Sequence, residues 1–159
     1  MQEVRIVSIN RSYKKGTVKK PVGDGILKRN WGLVGDAHAG LSHRQVSLLG
    51  IENIRKFINR LAKLKRSKNM KFDIGPGSFA ENITTTGFDL NGLRTGAKLR
   101  LGNRAIIEIT QRGKDCHAKC EIRKLVGDCV MPKEGVFAKV ICGGKIRVGD
   151  PIEIEEEDL

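Results

Sequence analysis

Apolar and polar residues alternate with a period of two in EVRIVSI (Glu3–Ile9), AKLRL (Ala97–Leu101) and KIRVGDPIEI (Lys145–Ile154). Successive side chains of a strand point to opposite faces, so these runs predict half-buried β-strands. Between Leu99 and Ile109 two such runs meet at Gly102-Asn103, and between Val140 and Val148 two more meet at Gly143-Gly144. Both dipeptides suit a two-residue turn, which predicts two antiparallel hairpins. One segment keeps a different rhythm. Ile51, Ile54, Ile58, Leu61 and Leu64 recur at spacings of three and four, so an amphipathic helix is expected from Ile51 to Lys65 with its basic residues toward solvent. The stretch RSKNMKFDIGPGSFAEN (Arg66–Asn82) reads as an irregular surface connection. The fold expected is mainly β with one principal amphipathic helix and short helical or irregular connections. Closing its sheet into a small β-barrel, fully or nearly so, would remove exposed edges.

The 159 residues suit one domain, 1–159, with an acidic tail from about residue 153 (EIEEEDL). No stretch approaches the ~20 apolar residues of a membrane span, and the N-terminal run lacks the apolar block of a signal peptide. A cytoplasmic protein without a membrane partner is expected. The formal net charge of +12 raises the local concentration of anions of any kind. Eight of the basic residues fall between Arg55 and Lys71, where there is no acid, and this is the case for a nucleic-acid-binding module. Against it stand an aromatic content of 4% and the absence of a base-reading motif.

The segment TQRGKDCHAKCEIRKLVGDC (Thr110–Cys129) holds three of the four cysteines among five basic residues. Cys116 follows a strand-like run and is surrounded by Arg112, Lys114 and His117. Neighbouring positive charge favours the thiolate, which is both the nucleophile and the soft ligand for a transition metal. A closed zinc shell needs four ligands. Cys116 and Cys120 with His117 are followed by no second pair, so the shell would need Cys129 or the distant His38; no zinc is expected, and the zinc-stabilised domain ranks below the reactive thiol. Cys142, in the apolar run KVICGG, reads as an inert buried thiol.

Upstream, GDAHAGLSHRQVSLL (Gly35–Leu49) gathers Asp36, His38, His43 and Arg44. Asp36 and His38 suit either an acid/base pair or a loop bonded to itself, and the second is the better reading. The planar fork of Arg44 suits phosphate and other oxyanions. In SFAENITTTGF (Ser78–Phe88), Glu81 and Asn82 are either turn-fixing groups or polar ligands for a heterocycle.

Four stretches in this order, Gly35–Leu49, GSFAENITTTGFDL (Gly77–Leu90), Leu93–Cys116 and GVFAKVICGGKIRVGDPI (Gly135–Ile152), resemble the MOSC domain, the family named for the C-terminal domain of molybdenum cofactor sulfurases. The resemblance implies a compact β-barrel and a cysteine after a Thr-Gln strand end, here Cys116, that ligates molybdenum or carries sulfur. It implies molybdenum cofactor or a pterin precursor as ligand, with His38, Arg44, Asn82, Arg112, Lys114 and Cys116 as the binding residues. Sulfur transfer in cofactor metabolism is the activity that would follow, with a cysteine-desulfurase-like donor and a molybdoenzyme acceptor as partners. Many members carry Arg-x-Pro-Cys where this chain reads Gly113-Lys114-Asp115-Cys116, so Arg112 or Lys114 would supply the positive charge. Pyridoxal phosphate is a family-level association only, tied to the aminotransferase-like portion of the sulfurases, which residues 1–159 lack.

Overall fold

The computed structural model describes residues 3–63, 74–113 and 134–155. Along these the elements are β1 (Arg5–Arg11), β2 (Lys20–Val22), β3 (Asp24–Lys28), β4 (Gly32–Leu33), β5 (Val46–Gly50), α1 (Ile51–Lys63), β6 (Ile83–Thr86), a 3-10 turn (Leu90–Gly92), β7 (Lys98–Leu101), β8 (Ala105–Arg112), β9 (Val136–Cys142), β10 (Gly144–Arg147) and β11 (Ile152–Glu155). Eight strands form one sheet in the order β11-β7-β8-β9-β5-β6-β1-β2, and β10-β3-β4 form a second. Among the described residues only β5 and β6 pair in parallel, and α1 lies in the connection between them; the other pairs are antiparallel.

The mainly β architecture with one helix stands, but the sheet does not close into a barrel, because β2 and β11 remain its two ends. The start of β1 does reach the start of β11: Ile6 N–H donates to the Asp150 carbonyl, Ile152 N–H donates to the Val4 carbonyl, and Arg5 and Pro151 form a single bridge. Gly149 N–H also donates to the Ile6 carbonyl. Among the described residues the contact is confined to these positions, so the edges meet without forming a continuous seam.

Of the two expected hairpins, β7–β8 forms, turning at Gly102 with φ 67°. The one at Gly143-Gly144 does not. β9 pairs with β8 and β5, whereas β10 pairs with β3 in the second sheet. The two glycines serve close packing rather than reversal: a β-carbon at Gly143 would lie 2.8 Å from the Leu27 carbonyl oxygen, and one at Gly144 3.2 Å from the Ala105 nitrogen. The chain thus passes from one sheet to the other where two backbones touch.

The inward rows of both sheets, among them Ile6, Ile9, Leu27, Leu33, Leu48, Ile83, Leu99, Ile107 and Ile146, form the main core. A second cluster lies on the outer face of the large sheet, where Ile51, Ile54 and Phe57 of α1 cover Leu49, Phe79 and Phe137. The helix begins at Ile51 as expected and is described to Lys63; Leu64 and Lys65 lie outside the described residues. Its buried stripe differs from the expected one. Phe57 is 2% exposed and meets Phe79 edge to face at 5.0 Å, while Ile58 is 38% exposed. The larger ring takes the core position. Arg55, Lys56, Arg60 and Lys63 are exposed, as expected for the basic face.

Phe57→Ala is therefore expected to cost about 3–5 kcal/mol, and Ile58→Ala less than about 1 kcal/mol. Denaturant unfolding of the two variants checks this; equal losses would return Ile58 to the core.

Candidate functional site

Five strands start or stop on one line. Asn10 N–H donates to the Asn82 carbonyl (2.7 Å) and Asn82 N–H to the Ser47 carbonyl (3.0 Å). Ser47 pairs with Phe137, and Phe137 with Gln111. Asn10 is the penultimate residue of β1 and Gln111 of β8; Asn82 immediately precedes β6; Ser47 and Phe137 are second in β5 and β9. The connections at these ends accordingly converge on the same row, and loops on a rigid scaffold are where binding groups collect.

At the β1 end of the row the buried groups are charged. Lys19 Nζ lies 2.7 Å from Asp36 Oδ1, with both side chains 0% exposed. The same ammonium donates to Ser12 Oγ (3.0 Å) and contacts His38 Nδ1 (3.1 Å). An ammonium has only donors, so Nδ1 of His38 accepts and its ring proton sits on Nε2. Asp36 Oδ1 and Oδ2 also accept from the backbone N–H groups of Ser12 and His38. Burial pushes the Asp36 carboxyl up, but Lys19, the Asn82 amide and the Ser12 N–H outweigh it and hold the carboxyl below its ordinary value. Asp36 and His38 thus follow the reading of a loop bonded to itself, with a lysine that sequence reasoning missed as its anchor. Nothing in VKKPV separates Lys19 from Lys20.

The next turn locks Lys19 in place. Lys19 N–H donates to the Gly77 carbonyl (2.8 Å), and a β-carbon at Gly77, where φ is 88°, would sit 2.1 Å from the Lys19 carbonyl oxygen. Only glycine fits there. Glu81, fully buried, accepts from Gly77 N–H (2.9 Å), Phe79 N–H (3.3 Å) and Thr84 Oγ1 (2.8 Å). Burial raises its carboxyl, and these donors offset only part of the effect. Asn82, also fully buried, accepts from Ser47 and donates to the Asn10 carbonyl. Glu81 and Asn82 are spent on holding the turn and the row.

At the β8 end, Gln111 Oε1 accepts from Arg44 Nε (3.0 Å) and from His43 Nε2 (2.8 Å). The Arg44 guanidinium lies 5.3 Å above the Phe137 ring, and the Thr110 hydroxyl sits against the His43 carbonyl. Arg112 is exposed and donates to the Asn91 carbonyl (3.1 Å). Gly113 N–H bonds the Gly135 carbonyl (2.6 Å). Lys114, Cys116, His117, Cys120 and Cys129 lie outside the described residues. Cys142, expected to be buried, is only half-buried, with Sγ 3.7 Å from the Gly143 carbonyl. Among the described residues, no three His, Cys, Asp or Glu are placed to hold a metal ion together.

The loop 34–45 spans the row from one end to the other: Ala37 N–H bonds Ser12, while His43 and Arg44 bond Gln111. Beside its first half a cleft of about 430 Å³ is lined by Arg11, Ser12, Tyr13, Lys14 and Lys20 over Val18 and Val22. This is the size range of small-ligand sites, and its cations favour an anionic occupant.

The MOSC domain profile matches residues 35–153 of the chain. The chain belongs to the MOSC domain family. A search of curated proteins gives no match. Among solved structures, the fold is similar to the YuaD protein from Bacillus subtilis (TM-score 0.76, 16% identity, covering 99% of this chain and 98% of that one). It is also similar to YiiM from Escherichia coli (TM-score 0.67, 19% identity, 97% and 71%) and to YiiM from Geobacillus stearothermophilus (TM-score 0.70, 20% identity, 96% and 75%). The matched span of this MOSC domain includes the Asp36 loop, the Glu81 turn and the Gln111 strand end. Arg11, Ser12 and Lys19, which complete the site, precede it.

Because removing Lys19 strands a buried carboxylate, Lys19→Met is expected to cost about 3–5 kcal/mol, much of it recovered in Lys19→Met with Asp36→Leu. The pH dependence separates the two carboxyls. The contribution of Asp36 is full above its ordinary value of 3.8 and is lost as pH falls toward the lower folded value. Glu81 acts oppositely: its contribution is full below 4.5 and declines as pH rises through its raised value. Without Lys19, burial dominates Asp36, and its acid-side slope reverses. Denaturant unfolding across the acid range reads this; an unchanged slope in Lys19→Met would remove the pair from the description.

Proposed function

We propose that this MOSC domain binds molybdenum cofactor, or a pterin precursor of it, along the row of strand ends and carries sulfur on Cys116. The observation that supports this best is the row itself. Arg11 at the end of β1, Arg44 in the spanning loop and Arg112 at the end of β8 are set along one line, and the chain leaves that line at Gly113, three residues before Cys116. Three residues of chain reach at most about 11 Å.

The donor set suits such a ligand. Guanidinium forks meet phosphate and oxo groups, the Nε2–H of His38 is a neutral donor, and Gln111, its Oε1 taken by Arg44 and His43 and one Nε2 hydrogen by the Gly113 carbonyl, acts by fixing Arg44. Nε of Arg44 is fixed by Gln111 and its plane by Phe137, which leaves the terminal nitrogens to grip an anion with little loss of side-chain freedom. Asn82 acts indirectly in this reading, by holding Ser47 and the Asp36 loop. The bound cofactor would supply the metal–oxo centre; the protein contributes binding, orientation and a soft thiolate.

Sulfur loading needs no outside oxidant. The Cys116 thiolate attacks the outer sulfur of a donor persulfide, a new S–S bond forms at Cys116, and the donor leaves as its thiolate. Nearby cations from Arg112 and Lys114 favour the attacking anion.

Titration with a phosphorylated pterin, followed by its fluorescence, is expected to show about 10- to 100-fold weaker binding for Arg44→Ala and no change for Lys63→Ala on the exposed helix face. Affinity that depends on Lys63 and ignores Arg44 would move the site to the helix and favour the nucleic-acid reading. Incubation with a persulfide donor is expected to load wild type and Cys142→Ser but not Cys116→Ser. Equal loading of all three would show that no single thiol carries the sulfur.

A further inference from the structure

The cleft of about 430 Å³ at the β1 end of the row carries a charge arrangement that works against folding. Arg11 and Lys20 lie directly opposite each other on β1 and β2, and like charges at facing positions of a strand pair are destabilising. Lys14 brings a third cation to the same cleft. Among the described residues no acid lines it, and none of the three cations is in an ion pair. Asp36, which bonds the Ser12 N–H beside them, is 0% exposed and held by Lys19. The three charges are left for an anion.

The floor beneath them is apolar. Val22 follows Lys20 by two positions and so shares its face of β2. It packs on the main core, while Val18 packs on the second cluster, and both are half-buried. At the rim stands Tyr13, the one tyrosine of the chain, 86% exposed. A ring held out in water buries little of itself, but it offers a face on which a flat ring entering the cleft can stack.

Charge and shape together narrow the occupant. Three cations suit a phosphate monoester, which carries close to two charges at neutral pH, better than the single charge of a diester. A bare phosphate would leave the valines and Tyr13 uncovered, and the volume is that of a site for a small organic molecule. An apolar floor under an aromatic rim calls for a flat ring on the phosphate. We propose that the cleft binds a nucleoside monophosphate, its phosphate among Arg11, Lys14 and Lys20 and its base between Tyr13 and the valines. Four strand spacings separate β1 from β8, which puts the far end of the row about 19 Å away, so a pterin gripped there by Arg44 leaves the cleft to another group. Arg11 is common to cleft and row, whereas Tyr13, Lys14 and Lys20 belong to the cleft alone. The proposal does not rest on the function proposed for the row.

The test titrates the full chain with adenosine monophosphate at constant ionic strength, read by calorimetry and chemical shifts, with adenosine, ribose phosphate and inorganic phosphate as controls. Lys20→Met and Tyr13→Ala change exposed positions, and thermal melting without nucleotide checks that both fold. The expected result is saturable nucleotide binding that no control matches, about tenfold weaker in each of these variants and unchanged in Arg44→Ala and Lys63→Ala. Without nucleotide, Lys20→Met is expected to melt no lower than wild type, because it removes one of two facing like charges. Ribose phosphate or inorganic phosphate binding as tightly as the nucleotide would reduce the cleft to a general anion site and overturn the proposal. Tyr13→Ala binding like wild type, or no saturable binding at millimolar nucleotide, overturns it too. Single-stranded DNA without a terminal phosphate that binds more tightly than the nucleotide, and depends equally on Tyr13, would give the cleft to nucleic acid instead. If Lys20→Met and Tyr13→Ala weaken a phosphorylated pterin and leave the nucleotide unchanged, the cleft is part of the pterin site and the proposal falls.

Discussion

A lysine ammonium and an aspartate carboxylate, sealed from solvent 2.7 Å apart, fix the geometry of everything around the candidate site. Burying two charges is expensive, and a pair of apolar residues would often be as stable. What the pair supplies here is order. Asp36 gathers the N–H groups of Ser12 and His38, Lys19 gathers Ser12 and His38 through their side chains, and the backbone of Lys19 is pressed against Gly77. Three connections that are far apart in the sequence become one unit, in which the tautomer of His38 is set by an ammonium it cannot avoid.

That unit explains why polar groups are tolerated so deeply on the outer face of the sheet. Each buried polar side chain of the row has a named partner: Asn82 with Ser47 and Asn10, Asn10 with Thr84, Thr84 with Glu81, and Glu81 with the N–H groups of the Gly77 turn. A satisfied network of this kind specifies one arrangement, whereas a half-satisfied one is a liability. Ala80 shows the strain the turn absorbs. Its φ of 64° is a left-handed conformation that a β-carbon makes unfavourable by about 1–2 kcal/mol, and the bonds to Glu81 on either side hold it there.

Much of this fold could be read from the sequence, because period-two and period-three-to-four patterns report local geometry directly. The strands at Arg5, Lys98 and Ile152, the helix start at Ile51 and the β7–β8 hairpin follow from them. What failed depended on contacts between distant segments. Gly143-Gly144 has the composition of a turn, yet the neighbour that decides its role is the backbone of Leu27, more than a hundred residues earlier. Phe57 displaced Ile58 because Phe79, on another segment, offered a ring to meet. Barrel closure stops at the single bridge between Arg5 and Pro151, a contact between the two ends of the chain that no local pattern reports. For the site, the charged and polar residues of the Asp36 loop and the Glu81 turn stood out by type. Their anchor, Lys19, did not, since one lysine in a basic stretch becomes special only through the carboxylate that folding brings to it.

The composition of the protein as isolated bears most directly on the function proposed for the row. Wild-type chain purified from cells competent for molybdenum cofactor synthesis should carry pterin, seen as fluorescence after acid release and oxidation, together with molybdenum in comparable amount. Fully folded protein that carries neither, while nucleic acid absorbing near 260 nm copurifies and is removed by salt, would contradict it.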